Sequence, residues 1–290
     1  MPKVLVLGST GNIGWPLVQL LQQDPDVSVI AGVHHHPTAA MHALGVDTVP
    51  FDFLDPTTFN PALAEVDELF FVRPPQLADP QHDMLPFLKA VQLHHLRQVV
   101  FVSLQGVEKN PMVPHRKIEK MIVDLDLPHT FLRPSFFMQN LITSHGQDLL
   151  EHHDLFIPAG SAKTSFIDCQ DIAACAQVVL KDPQYLGQAL TLTGSQALTY
   201  QQVAAIMTQQ LGFEITYSKP GLLRFRRAML KRGIAKEFVN VMVMLYVITR
   251  LGNAKTTTDT LSQVLHRAPT TFAQFVAHDV VPYFAAHSAQ

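Results

Sequence analysis

The sequence predicts a doubly wound α/β fold, a parallel sheet followed by a smaller, mostly helical lobe. Three observations predict it. The chain opens on a short continuous apolar run, KVLVLG, the pattern of a strand buried on both faces. That run passes into a glycine-bearing loop and a stretch with apolar residues at helical spacing, GNIGWPLVQLLQQ. Strand-like and helix-like segments then alternate as far as residue 134 in units too long for hairpins, which calls for right-handed crossovers and parallel pairing.

The elements follow in order. VSVIAGV reads as a strand, AAMHAL as a helix and DTVPFD as a strand. In LDPTTFNPAL, Asp55 is placed as an N-cap with Pro56 at the first helical position. DELFFV is a strand, PQHDMLPFLKAVQLHH a helix, RQVVFVS a strand, HRKIEKMIVDLD a helix and HTFLRP a strand. Residues 1–134 are therefore expected to form one domain and residues 135–290 a smaller lobe packed on it as a single structural unit. In the second part SFFMQNLITSHGQDLL looks helical, TSFIDCQDIAACAQVVL looks like a strand end running into a helix, and QALTLTG and EITYSKP look like strands. TYQQVAAIMTQQLG is a helix with a capping box at Thr199 and Gln202 and a C-cap at Gly212.

Composition narrows the function classes. A chain of 290 residues, 47% hydrophobic, is long enough for one large domain or one plus a smaller one. The formal charge of −3 gives no global basic field, which argues against nucleic acid as a partner. Cys169 and Cys175 match no metal or redox spacing, and no metal is expected. The apolar run Val239 to Ile248 is interrupted by Asn240 and falls short of the roughly 20 residues a membrane span needs. No secretory signal is visible, and the expected location is the cytoplasm.

In VLVLGSTGNIGWPL, Gly8, Gly11 and Gly14 stand at a strand-to-helix turn. Glycine allows the tight turn and lets backbone N–H groups approach a pyrophosphate, to which the helix N-terminus adds its partial positive charge. The position after the first strand is the Rossmann context of a dinucleotide site, although the spacing is G-x-x-G-x-x-G. At the end of the second strand an acid often receives the ribose of NAD. Here the chain reads AGVHHHP, with neither acid nor arginine. His34 or His35 can donate to a 2′-phosphate, which inclines the reading weakly to NADP(H) over NAD(H). A solvated turn is the plainer alternative. A metal cluster is disfavoured, because adjacent residues on an extended segment point in opposite directions.

The motifs GSTGNIG, FDFLD, FFVRPP, VVFVSLQG, HRKIEK, LPHTFLRPSFFMQN, FIDCQDIA and LTLTGSQALTYQQVA occur in the order of a known family. Through them residues 2–215 resemble the NmrA-like family of atypical short-chain dehydrogenases/reductases, and its bacterial NAD(P)-binding, quinone-reductase and azoreductase-like members in particular. The resemblance implies that Thr10, Asn12 and Ile13 line the pyrophosphate beside the glycines. It implies that Asp52 and Phe53 sit near the adenine, that Val72, Arg73 and Pro74 border the ribose side, and that Ser103 ends a strand beside the nicotinamide. Pro134, Ser135 and Phe136 would flank the nicotinamide, while Gln105, Phe137 and Asn140 would face the substrate. Asp168 and Asp171 resemble a motif that is mainly structural.

One part of the superfamily pattern is missing. The classical enzymes use Tyr-x-x-x-Lys, in which tyrosine moves the proton and lysine lowers its pKa and holds the ribose. All five tyrosines here lie beyond residue 184. Aligning on Glu119 puts His115, not Lys117, at the lysine position, and Pro111 stands where the tyrosine belongs. His115 is thus the candidate catalytic or cofactor-contacting group, with the filling of a helix start as the alternative. Without the tyrosine, hydride transfer to a quinone-like or azo acceptor fits better than carbonyl reduction, because it makes less demand on proton delivery. Phe136 and Phe137 can stack on a flat acceptor or belong to the lobe's core. A non-catalytic NAD(P) redox sensor acting on a protein partner is the second reading.

The stretch SKPGLLRFRRAMLKRGIAKEF, followed by VNVMVMLYVITRLG, keeps three readings open: a solvated helix before a packed one, a partner or self-association surface, or a surface touching anionic lipid or nucleic acid.

Overall fold

The computed structural model describes residues 1–287. Its first part runs β1 (Lys3–Leu7), α1 (Gly14–Gln22), β2 (Ser28–Val33), α2 (Ala39–Leu44), β3 (Asp47–Pro50), α3 (Phe59–Leu63), β4 (Glu68–Val72), α4 (Pro80–Asp83) and α5 (Leu85–Leu93). Then come β5 (Gln98–Val102), α6 (Pro114–Asp124), β6 (His129–Pro134), β7 (Phe136–Phe137), α7 (Asn140–Thr143), α8 (Gly146–His152), β8 (Lys163–Ile167) and α9 (Cys169–Lys181). The chain finishes with β9 (Ala189–Leu192), β10 (Ala197–Thr199), α10 (Tyr200–Leu211), α11 (Leu222–Lys231), α12 (Lys236–Arg250), α13 (Thr260–Leu265), α14 (Phe272–Phe275) and α15 (Val281–His287).

Two compact units result. The first comprises Met1–Pro134, Cys169–Leu192 and Gln263–His266; the second comprises Ser135–Asp168, Thr193–Ser262 and the chain from Arg267 onward.

The first unit holds the parallel sheet that the alternating pattern predicts, in the order β3-β2-β1-β4-β5-β6-β9. Every neighbouring pair is parallel. Val4 to Leu7 are buried, as a strand covered on both faces requires. The order reverses at β1, with β2 on one side and β4 on the other, and such a switch point opens a crevice at the carboxyl ends of the strands. One layer of the core is aromatic: Phe51, Phe53, Phe59 and Phe71 surround Phe87 with ring centroids 5.0 to 6.3 Å away. Offset and edge-on packing of this kind adds to the area that the rings bury. On α9, Lys181 Nζ reaches the Asp24 carboxylate at the end of α1, 2.6 Å away.

Buried Glu119 ties α6 to β6. It accepts from Arg133 Nε at 2.9 Å, Arg133 Nη2 at 2.8 Å and Arg116 Nη1 at 3.1 Å. This fork fixes the start of α6 over the end of the sheet.

The second unit has a three-stranded sheet, β10-β8-β7, with β10 antiparallel and β7 parallel to β8. Its core gathers Leu149, Phe166, Tyr200, Phe225, Tyr246 and Phe275. His145 Nε2 bonds Tyr246 Oη at 2.7 Å, and Arg232 forks onto buried Asp148 at 2.7 and 2.5 Å. The capping box of Thr199 and Gln202 forms, and Gly212 closes α10 in the left-handed region at φ 78°.

Three segments differ from expectation. The helix expected over PQHDMLPFLKAVQLHH breaks at Met84, because Pro86 has no N–H and is at home only in a first turn. SFFMQNLITSHGQDLL is not one helix. Phe136 and Phe137 pair with Phe166 and Ile167 as β7, and α7 and α8 follow separately. EITYSKP forms no strand. It makes one isolated bridge, Asp154 with Thr216, and Tyr217 Oη donates to the Gly160 carbonyl.

Candidate dinucleotide site

The loop between β1 and α1 is shaped by its glycines. Gly8 takes φ +78°, and Gly11 N–H donates to the Gly8 carbonyl at 3.0 Å. A Cβ at Gly14 would be driven into the Gly8 carbonyl oxygen, so the first residue of α1 has no room for a side chain. Gly8, Thr10, Gly11 and Asn12 are exposed, whereas the Ile13 side chain is buried. No side chain caps α1; of its first-turn residues Trp15 donates its N–H to the Gly11 carbonyl at 3.1 Å and Pro16 has none, which leaves the N–H of Gly14 for an anion. Buried Ser9, which sequence reasoning overlooked, donates its hydroxyl to the Gly32 carbonyl at 2.7 Å and pins the loop to β2. A cradle that excludes Cβ atoms beside an uncapped helix start suits a pyrophosphate.

The other predicted residues of this unit stand along the same edge. His34 and His35 follow β2, with His34 Nδ1 3.0 Å from His35 Nε2. Asp52, just past β3, brings Oδ2 within 3.1 Å of His34 Nε2. The carboxylate that the end of β2 lacks in sequence is thus supplied in space by the neighbouring strand's exit. Phe53 belongs to the aromatic core, so its ring is withheld from an adenine. Val72 Cβ would lie 3.4 Å from a Cβ on Gly8, across the switch point. Arg73 folds onto its own loop: Nη1 donates to the carbonyls of Pro74, Pro75 and Leu77 at 2.9, 3.2 and 2.7 Å. The Ser103 hydroxyl is buried without a hydrogen-bond partner among the described residues. Its N–H donates to Leu132, and that of Gln105 donates to Pro134.

His115 occupies the first turn of α6 and stacks on Phe101, centroids 6.0 Å apart at 23°. Burial, reinforced by the Arg73 charge, pushes its pKa down to about 3. The imidazole is therefore neutral at physiological pH, able to hydrogen-bond but holding no surplus proton. Lys117 is exposed, and so is Pro111.

In the second unit, Ser135 is buried with its hydroxyl unpartnered among the described residues. Phe136 and Phe137 form β7 and are half-buried, with Phe136 packed on the core. Asn140 is exposed at the start of α7. Among the described residues, no three His, Cys, Asp or Glu side chains are grouped to hold a metal ion. No helix there is long and apolar enough to cross a membrane.

Known proteins share this architecture. The chain is 30% identical over 292 residues to an NAD(P)H azoreductase of Xenophilus azovorans, covering 98% of this chain and all of that one. It superposes on an NADPH-dependent quinone oxidoreductase from Escherichia coli with a TM-score of 0.81 and 26% identity, over 95% of this chain and 98% of that one. NmrA, a negative transcriptional regulator solved with NADP, matches in fold alone, with a TM-score of 0.78 and 16% identity over 100% of this chain and 98% of that one. The sequence pattern of the NmrA-like family fits residues 2–276, and with the glycine cradle and the sheet order in place the chain belongs to that family.

Proposed function

We propose that this protein is an NAD(P)H-dependent reductase of quinone-like or azo acceptors. One observation carries the reading: the glycine loop lies in the same unit as neutral His115 at the lysine position, with Pro111 where a proton-moving tyrosine belongs. The azoreductase and quinone oxidoreductase relatives support it.

When bound, the reduced nicotinamide supplies two electrons and one hydrogen as hydride. The chain's own residues hold and orient. The Gly8–Gly14 loop and the start of α1 receive the pyrophosphate, and His34 and His35 receive the adenosine end, with a weak preference for a 2′-phosphate. Ser103 and His115 offer hydrogen bonds to the nicotinamide half. The acceptor roles of Gln105, Phe137 and Asn140, and the flanking roles of Pro134, Ser135 and Phe136, rest on the family resemblance.

Carbonyl reduction would leave an alkoxide that must be protonated within the site. A quinone leaves a phenolate-like oxygen, whose conjugate acid has a pKa of about 10, and water can protonate it. Positioning of donor and acceptor is then the main catalytic contribution. The test is oxidation of NADPH and NADH by purified protein with quinones and azo dyes. Absence of turnover above free cofactor across the panel refutes the reading.

Neutral His115 also supports a second reading, a redox sensor that binds the cofactor without turning it over. Calorimetry separates the two. A sensor distinguishes oxidised from reduced nicotinamide in affinity, and equal weak binding of all forms counts against it.

A further inference from the structure

Two adjacent helices of the second unit carry a surface that the dinucleotide site does not use. On α12, Val239, Met242, Tyr246 and Thr249 are buried, which leaves the opposite face to solvent. Apart from Glu237 and Asn240, that face is apolar. Val241, Met244, Ile248 and Leu251 recur at the three- and four-residue spacing of one helical stripe. Leu251 is 72% exposed, Val241 46% and Met244 43%, and Phe238 extends the patch at 41%.

The neighbouring helix has the opposite character. α11 buries Phe225 and Met229 and turns Arg224, Arg227 and Lys231 outward, again at helical spacing. Arg226 Nε reaches Asn240 Oδ1 at 3.4 Å, and Asn240 lies within the exposed face of α12. The basic helix therefore borders the apolar stripe. Between residues 219 and 255 the sequence has nine Lys and Arg against one acid, Glu237, in a chain whose formal charge is −3. Besides Arg226, four of these cations have partners within the chain: Arg232 pairs with Asp148, Arg250 donates to the Pro158 carbonyl, Lys219 donates to the Ser161 hydroxyl, and Arg224 lies 5.6 Å over the Phe156 ring. Arg227, Lys231 and Lys236 are exposed and form no ion pair among the described residues.

We propose that the α11–α12 face docks this protein reversibly on an anionic lipid surface. Charge chooses this occupant. A second copy would bring two strongly cationic faces together, which costs energy. Nucleic acid would use the cations and leave the apolar stripe in water. A bilayer interface takes both, with basic side chains at the headgroups and large apolar side chains at the acyl boundary. The fifteen residues of α12 span about 22 Å, against about 30 Å of hydrocarbon, so the helix lies in the interface and does not cross it. The inference stands independently of the reaction proposed above.

Flotation of the full chain with vesicles tests it. The protein is expected to float with vesicles containing phosphatidylglycerol. It should stay behind with phosphatidylcholine alone, and in about 1 M salt, where screening acts over about 3 Å. Each Lys or Arg near an anionic surface is worth about fivefold in affinity. Arg227→Glu with Lys231→Glu should therefore weaken binding at least about 30-fold, and Val241→Asp with Leu251→Asp about tenfold or more. Thermal melting and NADPH binding of both variants should match the unchanged protein, which separates lost docking from lost folding. Failure to float with anionic vesicles overturns the proposal, as does either folded variant floating like the unchanged protein. A dimer in light scattering that Val241→Asp with Leu251→Asp splits would give the face to a second copy and overturn it as well.

Discussion

His34 Nε2 stands 3.1 Å from Asp52 Oδ2, joining the exits of two neighbouring strands where the proposed function puts the adenosine. The carboxylate repels a 2′-phosphate, and the imidazole it holds, once protonated, attracts one. Asp52→Asn should therefore raise the NADPH-to-NADH affinity ratio and His34→Ala should lower it. The pair is exposed, so each change is about two- to fivefold. Fluorescence titration with both reduced cofactors reads the ratio, and movement in the opposite direction places the 2′-position elsewhere.

Gly14→Ala forces a methyl group into the Gly8 carbonyl, which is backbone and cannot swing aside. Overpacking of this kind costs about 1–3 kcal/mol. Loss of most dinucleotide affinity should accompany a lower melting temperature. An alanine variant that melts and binds NADPH normally would mean that the loop is not the cradle.

His115 and Lys117 should separate cleanly. Lys117→Ala, at an exposed position, should leave cofactor affinity and turnover within about twofold, as for ordinary surface changes. His115→Ala should weaken nicotinamide binding several-fold. Because His115 is neutral down to about pH 3, the rate between pH 5 and 8 should show no inflection that His115→Gln abolishes.

Stability should fall in mild acid. His115 and His145 have pKa values pushed down by burial to about 3 and about 4, from 6.5. Unfolding therefore takes up protons, so stability is full above pH 6.5 and declines as pH drops toward 4. At pH 5 each histidine accounts for at most about 2 kcal/mol. Urea unfolding at a series of pH values measures the slope, and His115→Gln should flatten it.

Glu119 carries a fully buried charge that three guanidinium N–H groups share. Glu119→Ala leaves Arg133 only its 3.4 Å contact with the exposed Glu108, and breaking such a pair costs about 3–5 kcal/mol. Denaturant midpoints check the figure. A cost below about 1 kcal/mol would mean that the fork does not hold α6.

The sheet was legible because its strands are continuous apolar runs and its crossovers amphipathic, signals carried within each segment. Gly8, Gly11 and Gly14 were legible for the same reason: a local turn imposes their chemistry. Asp52 beside His34 was not, since the residues lie eighteen positions apart and only the β2–β3 pairing brings them together. Phe53 illustrates the converse. Its motif position suggests an adenine contact, but Phe51 and Phe87 claim its ring for the core. The Phe136–Phe137 strand escaped because two residues set no period, and their pairing with Phe166 and Ile167 depends on a partner thirty residues away. The neutrality of His115 depends first on burial and then on the charge of Arg73, which arrives from the loop after β4, and neither is visible in the local sequence.

Hydride transfer without a tyrosine is tested most directly by single-turnover mixing of protein loaded with NADPH deuterated at C4. A naphthoquinone should be reduced with a primary isotope effect, while a ketone of similar size stays unreacted. Reduction of the ketone at a comparable rate, or bound NADPH that remains unoxidised by every quinone and azo dye tried, would contradict it.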